Sequence, residues 1–329
     1  MTQPQTAILV GPGRCARFLT LVLGPTDAQA EAARAALADV PNLVRAVGQR
    51  DESAALSCVV AIGAAAWPRL LPGRDRPAQL HPFRSLADGG RVAPSTPGDV
   101  LLHVRAERED FCHELTRLIL ARLGGATTVA DETHGFAYLD SRDLIGFVDG
   151  TENPRGEERA ASTIVGDEDP AHAGGSYVTV QRYVTDFATW QSVSTEAQEA
   201  VIGRTKADDV EMDDAPPTAH KERTKIVRDG AEHKILRHNR AYGSAREAGT
   251  YFIGYARDLS VTEEMLERMF VADADGHYDH LLDFSRPVTG AHFFAPAQDI
   301  LESLAEPPSA PSHAATGGDA ALPIGSLRR

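Results

Sequence analysis

Apolar residues along the chain fall in short blocks separated by polar, glycine- and proline-bearing stretches, and the blocks alternate between strand and helix periodicity. Phe18–Leu23 is apolar and rich in strand formers, and Asp27–Leu37 is alanine-rich with a helical pattern. Ala55–Ile62 reads as a strand, Ala64–Leu71 as the start of a helix and Asp99–Val104 as another strand. Glu109–Leu123 carries Phe111, Leu115, Leu118, Ile119 and Leu123 at amphipathic-helix spacing, and Gly124-Gly125 ends it. The order then recurs. Ser176–Tyr183 predicts a strand with Tyr177, Thr179, Gln181 and Tyr183 on one face, and Thr195–Ile202 predicts a helix. Lys234–Leu236 leads a short strand and Gly249–Ala256 is a further one. Thr262–Phe270 predicts a helix capped by Thr262, with Met265, Leu266 and Met269 inward.

Gly98–Phe111 and Gly249–Met265 share one order: glycine, strand, arginine, acidic cap, helix. They lie about 150 residues apart, which suggests two copies of one α+β unit. Alternation alone also permits a parallel α/β sheet. Glu306–Leu322 has no periodicity and is full of Pro, Ser, Ala and Gly, the composition of a disordered linker.

Composition narrows the function. The 329 residues can hold two domains or one large one. With 47 acidic against 33 basic residues the net charge is -14, which argues against nucleic-acid binding. The three cysteines, Cys15, Cys58 and Cys112, are scattered and form no Cys-x-x-Cys pair, so neither a disulfide framework nor a zinc site is expected. Cys58 and Cys112 sit in apolar stretches and read as core. No signal peptide and no membrane span is read, and a cytoplasmic location follows as an expectation.

The candidate chemistry centres on Gly146–Pro154, Gly-Phe-Val-Asp-Gly-Thr-Glu-Asn-Pro. Asp-Gly and Asn-Pro are turn formers, so this is a loop, anchored in the core by Phe147 and Val148. Asp149 is held at a fixed place among apolar neighbours, a setting suited to proton transfer; an Asp-Gly pair is equally an ordinary turn. In Ile235-Leu236-Arg237-His238-Asn239, strand alternation puts Arg237 and Asn239 on one face and His238 on the other. An Arg beside an Asn can hold a peroxide through several donors; a surface arginine on an edge strand is the plainer alternative. Among the twelve histidines, His277 and His280 could be a metal pair or a solvated turn, His233 and His238 belong to a strand region, and His220 follows the acidic loop Asp208–Pro217. The residues alone leave open which of them binds a metal.

The nonapeptide resembles the extended Gly-x-x-Asp-Gly signature of dye-decolorizing peroxidases, matched in full. Ile-Leu-Arg-x-Asn-x-x-Tyr-Gly from Ile235 resembles the family's second signature, and Asn239 resembles the bacterial B-type branch. The resemblance implies a haem b peroxidase that reduces hydrogen peroxide and oxidises dyes and phenolics by one-electron steps. A haem-binding or iron-handling protein of deferrochelatase type, with little turnover, is the alternative. The implied fold is α+β: two ferredoxin-like halves whose antiparallel sheets face each other with helices outside, the dimeric α+β barrel type. The halves are placed at residues 1–140 and 141–305, with haem in the second, a linker at 306–321 and a targeting peptide at 322–329.

By the same resemblance His220, with Arg223 three residues on, is the proximal iron ligand. Asp283 accepts its second ring N–H, and Asp149, Arg237 and Asn239 line the distal side, with Arg237 also in contact with the cofactor. Lys221-Glu222 departs from the small or apolar residues expected there. Phe252, Phe293 and Phe294 are pocket walls or ordinary core, and Trp67 and Trp190 are the only tryptophans available as relays. The ending Leu322-Pro323-Ile324-Gly325-Ser326-Leu327-Arg328 resembles the cargo-loading peptide for encapsulin nanocompartments, with Leu322, Ile324 and Leu327 as anchors and Pro323 where glycine is usual. The family forms dimers or hexamers, so a homo-oligomer is implied.

Overall fold

The computed structural model describes residues 2–306. Apart from Glu306, the expected linker at 306–321 and the peptide at 322–329 lie outside the described residues.

Four strands build the first half: β1 (Cys15–Leu23), β2 (Ser57–Gly63), β3 (Val100–Ala106) and β4 (Thr127–Phe136). They lie side by side as β4-β1-β3-β2, every neighbour antiparallel. In the second half β5 (Ser176–Thr185), β7 (Arg240–Gly243), β8 (Ala248–Ala256) and β10 (Ala291–Ala295) lie as β10-β5-β8-β7, again antiparallel. In order along the chain both halves therefore read 4-1-3-2, the ferredoxin-like order, with a helix after the first and third strand. The parallel sheet that alternation permitted is absent from the described residues. Two short strands, β6 (Leu236–Arg237) and β9 (Ser285–Pro287), extend the edges beside β8 and β5. The strand expected over Lys234–Leu236 thus begins two residues later.

The sheets face each other and also join at both edges. At one seam Ala241 pairs with Phe136 and Tyr242 with Gly135; at the other Phe293 pairs with Gly63 and Phe294 with Ile62. Eight strands close into a barrel, because β8 pairs with β5. Its interior is filled by residues of both halves, including Phe18, Val59, Leu101, Val178, Tyr251, Ile253, Tyr255 and Phe293. Phe18 stacks on Tyr251 with ring centroids 4.0 Å apart. Gln5 fastens one seam: its amide donates to the carbonyls of Val60 (2.8 Å) and Pro296 (2.9 Å) and accepts from the Val60 N–H (2.9 Å).

Helices cover the outer faces. α1 (Asp27–Ala38) starts with a capping box between Thr26 and Gln29, and α2 (Val40–Gly48) and α3 (Glu109–Leu123) complete the first layer. The second half carries α4 (Thr195–Ile202), the short α5 (His220–Thr224) and α6 (Leu259–Phe270). α6 begins earlier than its apolar spacing predicts. Asp258 is its cap, accepting from the Ser260 N–H at 2.9 Å, and Thr262 is buried inside the first turn. Cys58 and Cys112 are buried core residues. Among the described residues no helix is long and apolar enough to cross a membrane.

Candidate active site

β5 and β8 turn alternate residues to opposite faces. Val178, Val180, Tyr251 and Ile253 fill the barrel, while Gln181, Tyr183, Thr185, Thr250 and Phe252 point outward. Between that outer face and α6, which contributes Thr262, Met265, Leu266 and Met269, lies a cleft. His220, Asp149, Arg237 and Asn239 all line it.

The signature loop explains itself residue by residue. Gly146 (φ 94°) and Gly150 (φ 84°) occupy the left-handed region, so the motif needs glycine at both places. Phe147 is buried against Trp190, whose indole N–H donates to the Ile145 carbonyl at 3.1 Å. Val148 lines the cleft instead of the core. The Asp149 N–H donates to the Ser141 carbonyl (2.9 Å), and the Asn239 amide donates to Asp149 Oδ1 (3.3 Å). Thr151 donates to Asp209 Oδ2 (2.6 Å), while Arg204 bridges Glu152 (2.6 Å) and Asp209 (2.7 Å). These contacts tie the signature loop to the acidic loop before His220. Asn153 clamps Arg237 from both sides: its Oδ1 accepts from the Arg237 N–H (2.8 Å) and its Nδ2 donates to the Arg237 carbonyl (2.9 Å).

His220 opens α5. Its Nδ1 lies 2.6 Å from Oδ2 of Asp279, a carboxylate with 0% exposed surface. The other oxygen of Asp279 accepts from the Leu281 N–H (2.9 Å) and caps the turn His280–Asp283. A buried carboxylate in this position accepts a hydrogen bond from Nδ1–H and leaves Nε2 as the donor atom for a metal. Among the described residues Nε2 has no hydrogen-bond partner. Asp283 does not make the expected contact. It is exposed and accepts from the Tyr278 hydroxyl at 3.0 Å. The two carboxylates sit at opposite ends of one short turn, and only the capping one points inward. An Asp placed as a cap before Leu281-Leu282 was the available sequence signal. Arg223, buried, donates to the Arg268 carbonyl (2.7 Å) and Asp273 (2.9 Å), pinning α5 to the end of α6. The charged Lys221 is accommodated by an ion pair with Glu211.

Asp143 also lines the cleft. Burial, and then the negative charge of Asp149, push its carboxyl up to about 7, against backbone N–H donors that pull it down. Phe252 is a cleft wall, whereas Phe293 lies inside the barrel and Phe294 in the first helical layer. Trp67 and Trp190 are both buried. His277 groups with the exposed Asp273 and Asp275 and not with His280, and Asp273 is already paired with Arg223. Two buried polar atoms facing this apolar cleft, Gln181 Nε2 and Thr262 Oγ1, have no partner among the described residues. An imidazole nitrogen without a partner, apolar walls and unmatched donors suit a flat, mostly apolar metal cofactor.

Residues 140–300 match the family described as Dyp-type peroxidase, C-terminal, and residues 5–137 match Dyp-type peroxidase, N-terminal. A dye-decolorizing peroxidase of Mycobacterium tuberculosis is 50% identical over 299 residues, covering 89% of this chain and 88% of the relative. A solved DypB variant of Rhodococcus jostii RHA1 in complex with heme is 50% identical, with 91% of this chain and 98% of that one covered and a TM-score of 0.88. The encapsulated DyP-type peroxidase from Mycobacterium smegmatis is 48% identical over 94% of this chain and 99% of that one, with a TM-score of 0.89.

Proposed function

The chain belongs to the Dyp-type peroxidase family and is a haem-dependent peroxidase, and on that premise we propose that His220 is its iron ligand and that Asp149, Arg237 and Asn239 activate the peroxide. The observation that carries this reading is the pairing of His220 with the buried Asp279 at 2.6 Å, in the same cleft as Asp149, Asn239 and Arg237. On this assignment residues 141–305 hold the cofactor and residues 1–140 serve as the closing half of the barrel. Haem held there by His220 would supply the redox chemistry, a two-electron reduction of hydrogen peroxide balanced by one-electron oxidations of dyes or phenolics.

The protein's own contribution is proton handling and charge. Asp279 accepts the hydrogen bond of His220 Nδ1–H, holds the proton on that nitrogen and lends the ring anionic character. Asp149, held by the Asn239 amide at 3.3 Å, accepts the proton of the peroxide's inner oxygen and returns it to the outer one, which leaves as water. Arg237 stabilises the negative charge that develops on the departing oxygen. Its backbone is fixed by Asn153, so the guanidinium starts from a defined place. His220→Ala should abolish the Soret band of the reconstituted protein and its dye oxidation together. A variant that keeps both would refute the ligand assignment.

The tail is assigned as an address for an encapsulin shell, through Leu322, Ile324 and Leu327. What supports this is the ending itself together with the encapsulated M. smegmatis relative. A homo-oligomer presenting several tails would load by avidity. Deleting Leu322–Arg329 should abolish co-purification with co-expressed shell protein; undiminished loading would sink the assignment.

A further inference from the structure

Arg237 and Asn239 stand on a segment that has a short strand ladder besides the Asn153 clamp on the Arg237 backbone. β6 pairs with β8 through only Leu236–Tyr255 and Arg237–Gly254. Beyond it the ladder continues with the His238 N–H on the Ile253 carbonyl (3.0 Å), and the Ile253 N–H then goes to the side chain of Asn239 (3.3 Å). The residue between the two cleft-facing side chains, His238, points the other way and is 1% exposed inside the barrel. There its Nδ1 meets Arg105 at 2.9 Å.

Arg105 belongs to β3 in the first half, is 1% exposed, and also donates to the carbonyls of Gly11 (3.0 Å), Val10 (3.3 Å) and Ala7. Two residues earlier on the same face, His103 Nδ1 lies 2.8 Å from the hydroxyl of Tyr255, the residue paired with Leu236. The distal segment is thus held from behind, across the barrel, by Arg105, while His103 of the same face holds its partner strand β8.

We propose that Arg105 and His238 are positioning residues for Arg237 and Asn239, although neither lines the cleft. This inference rests on the distal roles assigned to Arg237 and Asn239. The chemistry of the contact fixes its details. A guanidinium only donates, so His238 Nδ1 must accept, and the ring must be neutral with its proton on Nε2. Burial first, and then the charge of Arg105, hold the imidazole well below its ordinary pKa, in keeping with a neutral ring. The contact draws His238 inward, and strand alternation converts that pull into an outward orientation of both neighbours. An error of about 1 Å at a reacting group costs on the order of 100-fold in rate.

The test compares His238→Leu, which removes the acceptor, with His238→Asn, which restores an acceptor oxygen on a side chain of similar reach. Arg237→Leu is the control. Stopped-flow mixing with peroxide gives the second-order rate constant per bound haem; haem content and Tm are measured alongside. We expect His238→Leu to lower that rate constant by about tenfold or more and His238→Asn to recover most of it. A role confined to stability would lower Tm and haem content in both variants and leave the rate per haem unchanged, and that result overturns the proposal. If Arg237→Leu is itself without effect, the distal assignment falls and this inference falls with it. Should His238→Leu not fold, nitrogen NMR of the histidine-labelled wild-type apoprotein decides. A neutral Nε2–H tautomer for His238 from pH 5 to 8 is required, and an Nδ1–H or charged ring overturns the inference.

Discussion

Asp279→Asn separates the two carboxylates that could govern His220. The substitution is nearly isosteric, and the amide oxygen can still accept from the Leu281 N–H, so the turn over His280–Asp283 keeps its cap. What is lost is one buried negative charge, now 2.6 Å from Nδ1. With an iron on Nε2, as proposed, the width of the imidazole and a metal–nitrogen bond of about 2.1 Å would put that charge roughly 6.5 Å from it. At an effective dielectric of about 20, a unit charge at that distance contributes about 2.5 kcal/mol in favour of the ferric state. For a one-electron couple this corresponds to about 100 mV. Spectroelectrochemical titration of the reconstituted proteins should therefore place the ferric/ferrous midpoint of Asp279→Asn about 100 mV above the wild type, with weaker haem retention. Asp283→Asn, whose carboxylate is exposed and engaged with Tyr278, should leave the midpoint in place. The reasoning is refuted if Asp283→Asn moves the potential and Asp279→Asn does not.

Three further expectations concern the cleft and the barrel. Arg237→Leu should slow peroxide-driven oxidation of the haem more than Asp149→Asn does; stopped-flow traces in the reverse order would overturn that ranking. Asp143 is held near 7, above the ordinary carboxylate range of about 3.9, so its neutral form is the one the fold favours. Its contribution to stability is complete below about pH 4 and is lost as pH rises through about 7. Asp143→Asn, neutral throughout, should accordingly narrow the fall in Tm between pH 5 and pH 8, and an equal Tm offset at both pH values would contradict this. At Gly249, where β8 closes onto β5, an added Cβ collides with the Tyr183 carbonyl oxygen. Gly249→Ala should cost about 1–3 kcal/mol in urea denaturation, and an unshifted midpoint would show that the β5–β8 pairing tolerates the methyl group.

Elements with a strong period were legible in the sequence. Glu109–Leu123 and Thr195–Ile202 form helices with the bounds their spacing predicts, and Ser176–Tyr183 places its alternate residues on one outer face. β4 was not legible. Thr127–Phe136 is largely exposed and polar, and its strand character comes from pairing along the length of β1. β10 is five residues long, and its phenylalanines suggest a pocket wall until the pairing with β2 and β5 shows them serving two different cores. At the site, alternation alone set Arg237 and Asn239 apart from His238. The partner of His220 was harder. Asp279 and Asp283 are four residues apart in one polar turn, and spacing cannot say which is inward. The local cap on Leu281 favours Asp279, but only the tertiary packing of α5 on α6 brings His220 to it.

The filled barrel separates the packing of the fold from the place of the cofactor. Its interior is occupied by its own aromatic and aliphatic side chains, and the cleft lies on the outer face of β5 and β8, enclosed by α6, α5 and the signature loop. No wall of the barrel waits for a prosthetic group to complete it. The packing of the barrel therefore asks nothing of the cofactor: haem in the cleft would add contacts to an outer face and would not complete the core.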